Sequence, residues 1–267
     1  GWYRAYSLAI GSTTEWNFDG VHRGSEAFAE FNTTLANYLR FNSDLWYNPR
    51  GQSDDLTRGG PLMGTGRSWG MALELEGREG ARTEWGVEVD GERAEFGGWS
   101  GEVQGDFFFH PGTQWEISIH PSWELGEDPR QYVMTVDGGR PETFAQRYVF
   151  ARVDRSEVAT RFRVNYTFTP NLTLETYAEP FASSGRFSGF GELLAPRSRE
   201  LLEYGTVGTT ITRNPDGSRT VTAGTQSFSI ANEDFNLRSL RSNVVLRWEW
   251  RPGSAHFLVW QQDQEAS

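Results

Sequence analysis

The chain has 267 residues, of which 25 are basic and 36 acidic; the formal net charge of -11 opposes nucleic-acid binding, and the absence of cysteine excludes disulfide and thiolate chemistry. Only 37% of residues are hydrophobic, yet 14% are aromatic, and the mean hydropathy is -0.59. No run approaches the ~18 consecutive apolar residues of a membrane helix, so any crossing of a membrane falls to strands. The length suits one large β domain or two smaller ones. Gly1-Trp2-Tyr3-Arg4 lacks the charged-then-apolar order of a signal peptide, and the start is expected to be a mature or internal boundary.

In chain order, Trp2 to Phe18 mixes aromatics with small polar residues and is expected to be an irregular strand. Phe31 to Tyr47 alternates throughout and predicts one long strand, with Leu35, Leu39, Phe41 and Leu45 on one face and Arg40, Asn42 and Asp44 on the other. Gly51 to Gly66 is a loop centred on Arg58-Gly59-Gly60-Pro61, where Arg58 is either a pore-lining charge or a solvated turn residue. Around the turn Arg78-Glu79-Gly80, two strands place Trp69, Met71, Leu73 and Leu75 opposite Glu74 and Glu76, and Trp85, Val87 and Val89 opposite Glu84, Glu88 and Asp90. Gly97-Gly98 reverses the chain.

After the turn His110-Pro111-Gly112-Thr113, Trp115, Ile117, Ile119, Trp123 and Leu125 share one face and Glu116, Ser118, His120 and Glu124 the other, with Pro121 predicting a bulge or a strand end. Gly126 to Arg155 reads as a polar excursion with its own hairpin at Asp137-Gly138-Gly139. Phe162, Val164, Tyr166 and Phe168 then alternate with Arg161, Arg163 and Asn165, and the chain returns through Thr169-Pro170-Asn171. Pro180 to Leu237 reads as a second excursion, with a short helix at Ala195 to Tyr204 and a hairpin at Asn214-Pro215-Asp216-Gly217. Asn236 to Gln262 closes the pattern as a hairpin about Arg251-Pro252-Gly253-Ser254. Its first strand sets Val244, Leu246, Trp248 and Trp250 against Val245, Arg247 and Glu249; its second is apolar on both parities, so its facing stays open.

Short turns at residues 78–80, 110–113, 169–171 and 251–254 contrast with long connections at 48–66, 126–155 and 180–237, and the two kinds fall at opposite ends of the strands. Transmembrane β-barrels have this asymmetry, because hydrocarbon demands that every backbone group be paired in a closed sheet. A soluble sandwich also alternates, so alternation does not choose between them. The long, oppositely charged residues favour a polar lumen. The expectation is an antiparallel up-and-down transmembrane β-barrel, incomplete here, forming a single domain over residues 1–267. In it Arg58, Glu74, Glu76, Glu84, Glu88, Glu116, Arg161, Arg163, Arg247 and Glu249 line the interior. Leu73, Leu75, Ile117, Ile119, Phe162, Val164, Tyr166, Phe168, Leu246, Trp248 and Trp250 face the membrane.

The Arg58-Gly59-Gly60-Pro61 loop, Tyr166 to Leu174 with Ala178-Glu179-Pro180-Phe181, and Asp234 to Ser239 through Arg247-Trp248-Glu249-Trp250-Arg251-Pro252-Gly253-Ser254 into Phe257 to Gln261 together resemble one bacterial family. It is the outer-membrane β-barrel domain of unknown function that commonly follows a carbohydrate-binding family 9-like domain. The resemblance implies the outer membrane of a Gram-negative-type bacterium and a C-terminal portion of a larger protein. It implies no reaction and no catalytic residues. The absence of the carbohydrate-binding-like domain, of the first barrel strands and of a closing strand ending in an aromatic residue departs from the family pattern and leaves closure open.

Other chemistry is weaker in the residues. Glu74 with Glu76, or Glu84 with Glu88, has the composition of a glycosidase carboxylate pair but reads more simply as acids on a wall. His22, His110, His120 and His256 lack metal-ligand spacing, and no metal or cofactor is expected. Trp248, Trp250 and Trp260 form an interfacial girdle in a barrel, or a sugar-stacking platform in a soluble protein. The expected function is an outer-membrane pore or anchor that handles glycans or small solutes, with membrane lipid as partner and no nucleic acid. The alternatives are a soluble carbohydrate-binding module and, less favoured, a glycan hydrolase.

Overall fold

The computed structural model describes residues 1–266 and is all-β. The strands are β1 (Tyr3–Trp16), β2 (His22–Leu35), β3 (Arg40–Asn48), β4 (Gln52–Ser53), β5 (Met63–Gly64), β6 (Ser68–Glu76), β7 (Thr83–Ala94), β8 (Trp99–Phe109), β9 (Trp115–Asp137) and β10 (Gln146–Thr169). They continue with β11 (Leu172–Leu193), β12 (Leu201–Glu203), β13 (Thr209–Arg213), β14 (Arg219–Ala223), β15 (Gln226–Ile230), β16 (Phe235–Arg251) and β17 (Ser254–Ala266). One large antiparallel sheet runs in the order β1-β2-β3-β6-β7-β8-β9-β10-β11-β16-β17, so each of these strands lies beside its sequence neighbour, as in an up-and-down wall. Among the described residues β1 and β17 do not pair, and the sheet is open.

Strand directions alternate, so connections divide between two ends. At the turn end lie residues 36–39, 77–82, 110–114, 170–171 and 252–253; at the loop end lie 17–21, 49–67, 95–98, 138–145 and 194–234. Gly253 (φ 79°) follows Pro252 in one of the two two-residue turns, at a position only a residue without Cβ takes freely.

Several expectations need correction. The alternating stretch from Phe31 to Tyr47 is two strands: Tyr38 takes φ 69° and its N–H bonds Leu35 O, so the chain reverses at Ala36–Leu39. Trp2 to Phe18 contains a strand paired over almost its whole length, with its irregularities confined to register shifts at Tyr3/Ala5 and Glu15/Trp16. The excursion at 126–155 is the continuation of β9 and β10, 23 and 24 residues long, joined by the connection 138–145 that starts at Gly138. Likewise β11 runs 22 residues to Leu193. Pro121 makes neither bulge nor end: Gln104 pairs Ser122 and Phe107 pairs Ile119 in one unbroken register, and the ladder only skips the proline's missing donor. No helix forms at Ala195–Tyr204. Arg197 is left-handed (φ 63°), and Leu201–Glu203 pairs with the end of β11 instead.

At the loop end the long strands are covered on both faces. Val149 and Ala151 of β10 join Phe190, Tyr204, Val221 and Ile230, packing the small sheet β13-β14-β15 onto one face. Tyr148 and Phe150, of the opposite parity, join Met63 and Leu193, docking the 49–67 loop and its ribbon β4-β5. Bulges in the β9–β10 and β10–β11 pairings near Phe150 bend the sheet where these layers attach.

Candidate functional site

Residues directly opposite in an antiparallel pair share a face, so the register carries each face from strand to strand. On one face Leu8 opposes Phe31, Leu45 opposes Met71, Leu73 opposes Val89 and Val89 opposes Val103. The face continues with Val103 opposite Trp123, Trp123 opposite Val158, Phe162 opposite Ala178, Leu174 opposite Leu246, and Leu246 opposite Leu258. It is apolar from the first strand to the last. Leu75, Ile117, Ile119, Val164, Tyr166, Phe168, Trp248 and Trp250 lie on the same parities, so every residue expected on the apolar side falls on this one surface.

Aromatics cluster toward its two margins. At the loop end Tyr47 opposes Trp69, and Arg93 lies between Trp69 and Trp99; at the turn end Trp115 and Tyr166 are 4.2 Å apart. Trp115 and Trp123 of β9 are separated by roughly 27 Å along the strand at ~3.4 Å per residue. The girdle drawn from Trp248, Trp250 and Trp260 does not hold as one ring. Trp248 and Trp250 lie beside His256 at the turn end, but Trp260 lies further up, opposite Val244. The open facing of β17 is now assigned. His256, Leu258 and Trp260 continue the apolar face, while Phe257 and Val259 oppose Arg247 and Val245 on the other.

The second face gathers Glu74, Glu76, Glu84, Glu88, Glu116, Arg161, Arg163, Arg247 and Glu249. Some of their charges are paired. Arg247 Nη2 donates to Glu249 at 2.7 Å, and Arg40 Nε donates to Glu76 at 2.8 Å, while Arg161 reaches Glu179 at 3.4 Å. Glu74 and Glu88 stand directly opposite each other and accept from neutral amides on the outer strands, Asn42 at 2.7 Å and Gln104 at 2.7 Å. They are wall acids held in hydrogen bonds. Glu84 accepts from the Gly80 N–H at 2.9 Å, Glu116 from Asn165 at 3.5 Å, and the Arg163 guanidinium lies 5.6 Å from the Tyr177 ring centroid. Arg58 is the exception: it sits in the docked 49–67 loop at φ 51°, with its guanidinium 4.8 Å from the Tyr132 ring centroid.

A row of acids on this face escaped the reading of single strands. Glu30 opposes Asp44, Asp44 opposes Ala72, Ala72 opposes Asp90, Asp90 opposes Glu102, Glu102 opposes Glu124, and Glu124 opposes Glu157. Six carboxylates thus share one level with only Ala72 between them, and no arginine lies in the row. Six of the seven strands crossed, β6 excepted, contribute one acid to this level, but only register reveals that the levels coincide. Just above, Glu92, Glu124, Glu127 and Arg155 help line a cavity of about 220 Å³. At the rim, Glu95 is bonded by Arg50 Nε (2.8 Å) and by the Arg67 N–H (3.2 Å), and the Arg50 guanidinium holds its carboxyl down to about 2.

Among the described residues no group of three histidine or acidic side chains is arranged to hold a metal ion, and no helix is long and apolar enough to cross a membrane. The fold defines a class: an open up-and-down β-sheet protein with one apolar and one charged face. No protein-family model matches the chain, and no curated protein is significantly similar to it.

Proposed function

We propose that this chain forms much of the wall of an outer-membrane β-barrel. Its apolar face lies in lipid, and its charged face lines a water-filled interior that admits or holds glycans or other small polar solutes. The observation that carries this reading is an inversion of exposure along neighbouring residues. Trp123 is 52% exposed, Val158 46%, Val89 46% and Val103 45%, whereas Glu124, Glu157, Asp90 and Glu102 beside them are partly buried and less exposed than any of these. A sheet folded for water shelters the valines and tryptophan and exposes the acids. One folded for hydrocarbon does the opposite, since lipid solvates apolar side chains and a lumen solvates charge. The acid row further favours cationic or neutral solutes over anions, because the wall facing the solute is negative at one level.

Liposome flotation after refolding tests the membrane assignment, together with heat-modifiable migration on a gel. Lipid-bound, heat-modifiable protein is expected. Protein that is monodisperse without detergent, fails to float and binds soluble glycan would replace this reading by that of a carbohydrate-binding module.

A further inference from the structure

The two edges of the sheet carry an inference that rests on the membrane reading. β1 starts at the turn end, where Tyr3 opposes Leu35, and climbs to Trp16, opposite His22, at the loop end. β17 leaves the 252–253 turn at Ser254 and climbs to Ala266, opposite Arg238. Eleven strands follow one another in the wall, so its first and last run the same way. Direct closure of β1 on β17 would therefore be a parallel pairing in an otherwise antiparallel sheet. A second copy in the same membrane orientation offers the same two ascending edges and meets the same obstacle.

We infer that these edges are seams for an extended polypeptide segment from outside residues 1–267, which runs downward from the loop end to the turn end. An unpaired edge cannot rest in hydrocarbon, because its free N–H and C=O groups have no water to turn to. Edge chemistry describes the occupant. At the loop end both seams are polar: Ser12, Thr13, Thr14 and Glu15 on β1, and Gln262, Asp263, Gln264 and Glu265 on β17. Toward the turn end the apolar face offers Leu8, Ile10, Leu258 and Trp260. There the inner face is small on β1 (Ser7, Ala9) and apolar on β17, where Phe257 is 61% exposed. A fitting strand is thus polar in its first half and, in its second, apolar outward with uncharged residues inward.

The descending strand β16 has the required order on its outward face, largely polar from Asn236 to Asn243 and apolar-alternating from Val244, but it carries Arg247 and Glu249 inward, so its sequence with Arg247→Ser and Glu249→Ser is the probe. Because the chain lacks cysteine, Val259→Cys gives a unique thiol on β17. A synthetic peptide of residues 235–251 with these two serines, and with cysteine in place of its Val245, is added to the lipid-inserted variant, alongside a peptide of reversed sequence. Several-fold greater disulfide capture of the first peptide is expected, with amide exchange of the native β16 unchanged. Equal capture of both peptides, or capture of neither, overturns the inference. So does an intramolecular disulfide in a Ser7→Cys/Val259→Cys variant, which would mean direct closure. If instead the protein fails to float with liposomes and Val259→Cys forms homodimers in buffer, the membrane reading itself has failed.

Discussion

Leu246 and Arg247 are adjacent in sequence and opposite in environment. Leu246 lies between Leu174 and Leu258 on the apolar face, and Arg247 donates to Glu249 on the charged one. Leu246→Arg places a cation on the side proposed to meet lipid, at a cost of roughly 2–4 kcal/mol near the bilayer midplane. Arg247→Leu removes a half-exposed charge whose pair contributes little. Flotation is expected to fall for the first variant and to persist for the second, and equal insertion of both would contradict the facing. The rim offers a pH test. Glu95 is depressed from an ordinary 4.5 to about 2 by Arg50, so its bond contributes stability above the unfolded-state value and loses it as pH falls toward 2. In Arg50→Gln the Glu95 carboxyl is expected to titrate in the ordinary glutamate range, as followed by carboxyl carbon NMR. An unmoved titration would mean that the Arg67 N–H alone holds it.

At the scale of elements, a buried ion pair joins β10 to β11 within the large sheet, beside the small sheet β13-β14-β15, whose Gln226 accepts from Arg147 at 3.4 Å. Arg147 of β10 donates to both oxygens of Glu192 on β11 at 2.8 and 2.6 Å, the Tyr204 hydroxyl donates to the same carboxylate at 3.2 Å, and Glu192 is 4% exposed. Arg147→Met leaves that carboxylate buried without its cation and is expected to cost ~3–5 kcal/mol, whereas Arg147→Met with Glu192→Leu should recover much of the loss. Denaturant unfolding of the two variants and of Glu192→Leu closes the cycle; a double variant no better than Arg147→Met would show that the pair does not act as a unit. On the other face, Met63 is fully buried between the docked loop and β10. Met63→Ala should cost ~2–5 kcal/mol and open the loop to trypsin at Arg58.

The elements also show what a sequence reveals and what it hides. Where one face is apolar and the other charged, as at Phe162 to Phe168 or Val244 to Trp250, alternation was enough to recognise the strand and sort its faces. The Ala36–Leu39 turn was hidden because it holds neither glycine nor proline and keeps the alternation in phase; the Asn37 side-chain Oδ1 accepting from the Leu39 N–H serves there instead. The upper halves of β9 to β11 were hidden for another reason. Glu124 to Arg130 carries no apolar parity because that stretch is held by backbone pairing and bulges, and higher up Val149, Phe150 and Ala151 are buried on both faces at once. Contacts far apart in sequence, such as Met63 with Phe150, leave no periodic trace in either segment.

For the whole molecule the acid row matters most, because no single residue or strand contains it. Asp90, Glu102, Glu124 and Glu157 stand opposite one another across four successive strands. Directly opposed like charges are destabilising by about 0.2–1 kcal/mol per pair, so the row opposes the sheet that assembles it. Dissolved cations relieve this repulsion by screening, over a Debye length that shortens from about 30 Å at 0.01 M salt to 3 Å at 1 M. Thermal stability in detergent should therefore rise with sodium chloride. The rise should shrink in Glu102→Gln, which faces two acids, and shrink further in Glu102→Gln with Glu157→Gln, which removes all three repulsive pairs of this stretch. In reconstituted membranes that conduct, the same variants should lose preference for potassium over chloride, read as a reversal potential moving toward zero under a salt gradient. A flat salt response in the wild type would mean that these carboxylates do not repel as a row, and an unmoved reversal potential would take the row out of the proposed pathway.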